Sequence, residues 1–251
     1  MADLSADTLA FWLAQDATNT NYRPLFDVTT DLLAARLPER SAEQRADLAE
    51  RLLLKISDSL GQIARDSIDD GVEPSFELSS EESTLYFKVL KTDALSFRDK
   101  LLKLTPAGFE DFCASLLKKL GGDARVIGKT GDGGIDFVAR NISLSGSPGP
   151  ATIGAQTLVL GQAKRYARDN LVVETDLRGF VGSAMKRSHD PEDVATYRRA
   201  ILAPLSLAFW TTSDFQPSAK RYAKIVGLWY LNGTGLAQLA LRLGVKVAPP
   251  E

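Results

Sequence analysis

Asp136, Gln162 and Lys164 are the residues whose types and spacing can do chemistry. Asp136 follows a glycine-rich turn in G-K-T-G-D-G-G-I-D-F-V-A-R, which runs from Gly128 to Arg140. Gln162 and Lys164 close the run T-L-V-L-G-Q-A-K-R-Y from Thr157 to Tyr166. A carboxylate, an amide carbonyl and the Ala163 backbone carbonyl are hard oxygen donors of the kind that hold Mg²⁺ while it keeps several waters. An ammonium beside them can orient or help deprotonate an attacking water and stabilise developing negative charge. Together they form the layout of a metal-assisted phosphodiester-cutting site. Singly each has a plainer reading: an acid after Gly-Gly shapes a turn, and a lysine at a strand end is solvated.

Ile135–Ala139 and Thr157–Gly161 are apolar, rich in β-formers and bounded by turn residues, so they read as neighbouring strands of a buried sheet. Side chains alternate along a strand, so Gln162 and Lys164 share a face and Ala163 takes the other. Before them, Thr105-Pro106 opens a helix with Phe109, Phe112, Cys113, Leu116, Leu117 and Leu120 on its inner side, stopped by Gly121-Gly122. Glu110 lies one position from that stripe. Ala124–Ile127 reads as a strand and Asn141–Ala155 as a long Gly/Ser/Pro loop. Downstream come a helix over Val172–Arg187, a short one opened by Pro191, and a strand over Leu205–Thr211 ending in the polar cluster Thr211–Asp214. A helix from Pro217 to Gly227, a strand at Leu228–Leu231 and a helix capped by Thr234 follow. This order predicts an α/β fold with a mixed central sheet between helical layers and right-handed crossovers.

The first 104 residues are different. Ser5, Pro24 and the Ser41/Gln44 capping box each open a helix. The third carries Leu48, Leu52, Ile56, Leu60 and Ile63 at helical spacing, a stripe expected to pack on the other helices or on a second subunit. Ser75–Leu78 and Ser83–Val89 read as a hairpin turning through Ser79–Glu82, and Thr92 as the cap of a short helix. Helices then a hairpin permit a winged-helix reading, but the run of acids from Asp66 to Glu82 opposes a phosphate-facing wing. A mainly helical domain over 1–104, for recognition, docking or oligomerisation, is the expectation.

The chain has 251 residues and a net charge of −2. Residues 1–104 hold 12 Lys/Arg against 19 Asp/Glu, net −7, and residues 105–251 hold 18 against 13, net +5. A basic half beside an acidic one points to a polyanion partner for the second half. One cysteine, Cys113, and one histidine, His189, cannot build a Cys/His zinc site, so a metal would be held by oxygen, as magnesium or manganese are. No apolar run reaches a membrane span and the N-terminus lacks the regions of a signal peptide, so a cytoplasmic protein is expected.

F-E-D-F-C-A-S-L-L-K-K-L-G-G, the Gly128–Arg140 run, G-Q-A-K-R-Y and A-F-W-T-T-S-D-F-Q-P-S-A-K-R-Y-A-K-I-V-G-L-W-Y-L-N-G together resemble the catalytic domain of the Mrr-like restriction endonucleases. That family belongs to the PD-(D/E)xK nucleases, in the branch whose second acid is glutamine. The resemblance covers about residues 104–247. It implies Asp136 as metal ligand, Gln162 in the second ligand position with the Ala163 carbonyl beside it, Lys164 as catalytic lysine and Glu110 as an additional metal- or water-binding acid. It places Asp132 in the turn or on substrate, and Ser213 is a candidate phosphate contact. Lys129 and Arg165, with Arg125, Arg140, Arg168, Lys186 and Arg187, would supply backbone contacts to DNA. The implied protein is a Mg²⁺-dependent endodeoxyribonuclease (Mn²⁺ substituting) of restriction or anti-phage defence, a homodimer or larger assembly. A Holliday-junction-type or repair nuclease shares this core. A catalytically silent or partner-activated nucleic-acid-binding module, with a protein or ligand acting on residues 1–104, is the reading of another class.

Overall fold

The computed structural model describes residues 4–90, 93–127, 134–142, 157–189 and 204–247. The chain divides into two compact units, Met1–Thr92 and Asp93–Glu251.

The first unit runs α1 (Ala6–Asp16), β1 (Arg23–Pro24), α2 (Leu25–Arg36), α3 (Ala42–Asp69), β2 (Phe76–Glu81) and β3 (Thr84–Val89). Ser5 caps α1, and Ser41 with Gln44 forms the reciprocal capping box of α3. The stripe on α3 turns inward: Leu48, Ile56 and Leu60 are buried, and α3 packs on α1 and α2. That stripe is therefore consumed within the chain and is not available to a second subunit. The hairpin is tighter than expected. β2 continues through Glu81, and the turn is Glu82-Ser83, both at positive φ (45° and 71°), as a two-residue hairpin turn demands. β1 pairs antiparallel with β3, giving sheet order β1-β3-β2. Helix, strand, helix, helix, hairpin, with the early strand closing the sheet, is winged-helix connectivity. Two residues of β1 ahead of a proline-led helix carry no periodicity to read.

The second unit begins with α4 (Asp93–Leu101), so the structural boundary lies one helix before residue 104. Then come α5 (Pro106–Lys119), β4 (Asp123–Val126), β5 (Phe137–Arg140), β6 (Leu158–Lys164), α6 (Glu174–Ser188), β7 (Leu205–Thr211), α7 (Pro217–Val226), β8 (Trp229–Leu231) and α8 (Gly233–Leu243). The expected mixed sheet is present in the order β4-β5-β6-β7-β8, antiparallel from β4 to β6 and parallel from β6 to β8. One face packs on α4, α5 and α8 through Phe97, Phe109, Phe112, Leu236, Phe137 and Trp210. The other packs on α6 and α7 through Leu177, Phe180, Ala219, Leu160, Phe209 and Phe215. Asn232, not Thr234, caps α8, its side chain accepting from the Gly235 N–H. The loop expected over Asn141–Ala155, the Pro191 helix and the Thr92 cap lie wholly or mostly outside the described residues. Among the described residues no helix is long and apolar enough to cross a membrane.

Candidate active site

Asp136 sits immediately before β5, which starts at Phe137, whereas the expected Ile135–Ala139 strand would have included it. Ile135 and Val138 belong to the α6/α7 side of the sheet, and Phe137 and Ala139 to the α5/α8 side. Strict alternation would set Ile135 and Phe137 on one face, so the backbone steps sideways at Asp136. Its N–H donates to the Gly161 carbonyl (2.8 Å) and its carbonyl accepts from the Ile127 N–H (2.9 Å). Fixed at both ends, the carboxylate reaches β6, where Oδ2 accepts the Ala163 N–H at 2.7 Å. The acid is thus locked on the Q-x-K segment by a charge-assisted hydrogen bond.

Gln162 is buried, only 7% exposed, and Gly134 lies against it. A Cβ on Gly134 would come within 2.3 Å of the Gln162 Nε2, and Gly134 has φ +80°, which favours glycine. Gly134 is therefore required twice over, for its backbone and for the space the amide fills. Gly134→Ala is expected to lower cleavage by about 10²-fold, because a site misplaced by an ångström loses that much. It should cost only about 1–2 kcal/mol of stability for the left-handed backbone. Melting and turnover measured on the same preparation check the split; full activity would show that Gln162 need not stay where it is.

Lys164 closes β6 and is half-buried. Its carbonyl accepts from Thr211 Oγ1 (2.8 Å), the Tyr166 N–H (3.1 Å) and the Thr212 N–H (3.3 Å), which hold the strand end rigid. Thr212 Oγ1 also donates to the Tyr166 carbonyl (2.7 Å). The Thr211–Asp214 cluster, legible in sequence as polar residues at a strand end, thus serves to position the segment after Lys164. Pairing with β7 sets Gln162 beside Phe209 and Lys164 beside Thr211, on the face opposite Ala163.

Glu110, on α5, approaches from the other layer. Burial, then the charges of Asp136 and Glu110, push the Cys113 thiol well above its ordinary range. Both carboxylates thus lie near enough for their charge to be felt at the buried thiol. Among the described residues no three His, Cys, Asp or Glu side chains group as a metal cage. Mg²⁺ asks for less, being commonly held through one or two carboxylates plus waters. The Asp136 carboxylate with amide and carbonyl oxygens on β6 fits that demand.

Three residues expected to contact DNA, Arg165, Arg168 and Ser213, also have partners within the chain. Arg165 donates through Nε to the Leu104 carbonyl (2.9 Å) and through Nη2 to the Leu102 carbonyl (3.2 Å), binding the segment after α4 to the loop after β6. Arg168 pairs with Asp99 at 2.6 Å and strengthens the same junction. A guanidinium satisfies orphaned carbonyls past a helix C-terminus as readily as phosphate oxygens, and a sequence cannot tell the two apart. Ser213 is 8% exposed and donates its hydroxyl to the Asn170 carbonyl at 2.8 Å. Lys129 and Asp132 lie outside the described residues.

Comparison with curated proteins finds no match. Among solved structures, MspJI restriction endonuclease in complex with a 27-mer oligonucleotide is similar at 20% identity and TM-score 0.38, over 62% of this chain and 36% of that one. The DNA modification-dependent restriction endonuclease AspBHI is similar at 13% identity and TM-score 0.42, over 68% of this chain and 57% of that one. FokI bound to DNA is similar at 10% identity and TM-score 0.40, over 96% and 45%. The chain thus spans well under two thirds of these enzymes, and likenesses this distant carry no mechanism. The family model is decisive, because residues 101–240, more than half the chain, match the restriction endonuclease model Mrr_cat. With α5, the mixed sheet and the Q-x-K strand all inside that match, this chain belongs to the Mrr-type restriction endonuclease family.

Proposed function

We propose that the second unit is a Mg²⁺-dependent endonuclease that hydrolyses phosphodiester bonds in DNA, acting in restriction or anti-phage defence. The observation that carries it is the Asp136 carboxylate anchored on the Ala163 N–H, between Gln162 and Lys164. In this reading Asp136, Gln162 and the Ala163 carbonyl would hold the ion, with Glu110 as a further acid for the same site. A bound divalent ion would supply Lewis-acid stabilisation of charge on the phosphate. Lys164, on a strand end fixed by three donors, orients the attacking water and meets the charge that develops on the non-bridging oxygens. The +5 of residues 105–251 favours a polyanionic substrate. The first unit holds 9 Lys/Arg against 17 Asp/Glu, net −8, over residues 1–92, which speaks against its gripping phosphates.

The test is plasmid DNA with wild type and Lys164→Ala, in Mg²⁺, Mn²⁺ or EDTA. Nicked or linear product with either metal, none in EDTA and none from the variant is the expected result. Cutting that survives EDTA, or that Lys164→Ala leaves intact, overturns the reading.

A further inference from the structure

The outer face of α3 is left uncovered by a helix that already spends its apolar stripe on α1 and α2. At 28 residues α3 is about 42 Å long. A hundred degrees per residue puts Leu54, Gly61 and Ile68, each seven apart, in one line opposite the buried Ile56 and the half-buried Ile63. Leu54 is 73% exposed and Ile68 63%. Gly61, midway between them, sits in a helix interior, where glycine is disfavoured. Among the described residues a Cβ there would meet only Arg65 Nη1, at 3.4 Å, an ordinary contact.

The charges beside this line are ordered. Arg51, Asp58, Arg65 and Asp69 are all exposed and lie on the same flank of the Leu54–Gly61–Ile68 line. A second α3 laid antiparallel, with its two-fold axis at Gly61, places residue 61−n beside residue 61+n of its mate. Leu54 then meets Ile68 and glycine meets glycine where the backbones approach. Under this symmetry one flank meets its own kind, so Asp58 falls within one residue of Arg65, and Arg51 within two of Asp69. Every such pair is attractive and occurs twice.

We propose that the chain forms a homodimer through the outer face of α3, antiparallel about Gly61. In winged-helix connectivity the third helix is the one free to enter a DNA groove, but Asp47, Glu50, Asp58 and Asp69 on this outer half make duplex DNA a poor occupant. A second copy is the partner whose charges match. The inference is independent of the nuclease reading.

Sedimentation of the full chain over a wide concentration range tests it. Wild type should be dimeric at the upper end, and Leu54→Glu should weaken the dimer by at least about tenfold. Melting at concentrations where wild type is monomeric should be unchanged, because Leu54 contributes little to its own unit. Asp58→Arg and Arg65→Asp should each weaken association, and the double swap should restore it to within about threefold of wild type. That recovery is a readout a merely structural role would not give. A wild type that stays monomeric, a dimer indifferent to Leu54→Glu, or a swap that fails to rescue would each overturn the proposal. So would a Leu54→Glu variant that keeps its mass and loses affinity for duplex DNA, since α3 would then face nucleic acid.

Discussion

Asp136→Asn should lower DNA cleavage in Mg²⁺ by at least about 10²–10³-fold, the cost of removing one preorganised electrostatic group from a reaction centre. The substitution is chosen because it keeps shape. An asparagine carbonyl can still accept the Ala163 N–H that Oδ2 accepts at 2.7 Å, and the backbone bonds to Gly161 and Ile127 are untouched. Only the charge goes, so the melting temperature should move by no more than about 2–4 °C, the equivalent of 1 kcal/mol in a unit of this size. DNA retention without metal should hold or improve, because one negative charge has left the site. Residues that act as one unit lose function non-additively. The Asp136→Asn/Lys164→Ala double variant should therefore be scarcely worse than the worse single. If the two losses instead multiply, Asp136 and Lys164 do not serve one step, and the assignment of the site fails. If Asp136→Asn cuts normally, the carboxylate is only a clamp for β6.

The sequence spoke clearly where one local cause decides an element. Caps at Ser5, Ser41 and Thr105, and glycines past the ends of α5 and α7, set helix bounds to within a residue or two. The Q-x-K strand was legible because alternation is a rule of the backbone. Features that depend on a distant partner were not. Arg165 and Ser213 also donate to the carbonyls of Leu104 and Asn170, and those partners lie far away in sequence. The inward turn of the Leu48–Ile63 stripe was half legible: periodicity shows that a face will be buried, not what buries it. Only packing showed that α1 and α2 do so, which leaves the opposite face for a second chain. Gly134 and Gly161 were silent for the same reason, since a glycine's neighbours are unknown until the strands pair.

Gly161→Ala should strongly destabilise the second unit. Gly161 lies inside β6, where glycine normally weakens a strand, and the fold keeps it because another group occupies its Cβ position. A Cβ there would fall 1.9 Å from Phe137 Cε2 and 2.0 Å from Cζ, against the 3.5–4.0 Å or so that carbon atoms require. The ring cannot retreat easily. Phe137 is fully buried and packs on Trp210 at 5.2 Å between centroids, and Trp210 packs edge-on against Trp229 at 5.0 Å. Overpacking of this kind costs about 1–3 kcal/mol, and a stack with no slack puts the variant at the upper end. The melting temperature should fall by about 6–12 °C. Activity should fall further than stability, because Phe137 follows Asp136 and Gly161 precedes Gln162, so parting the pair moves both proposed ligands at once. Phe137→Leu should relieve the clash: Gly161→Ala/Phe137→Leu should melt above Gly161→Ala alone, a coupling that independent sites would not show. A Gly161→Ala variant melting with wild type would mean that the ring has room to move. The packing of β5 on β6 would then no longer explain how Asp136 is held against Ala163.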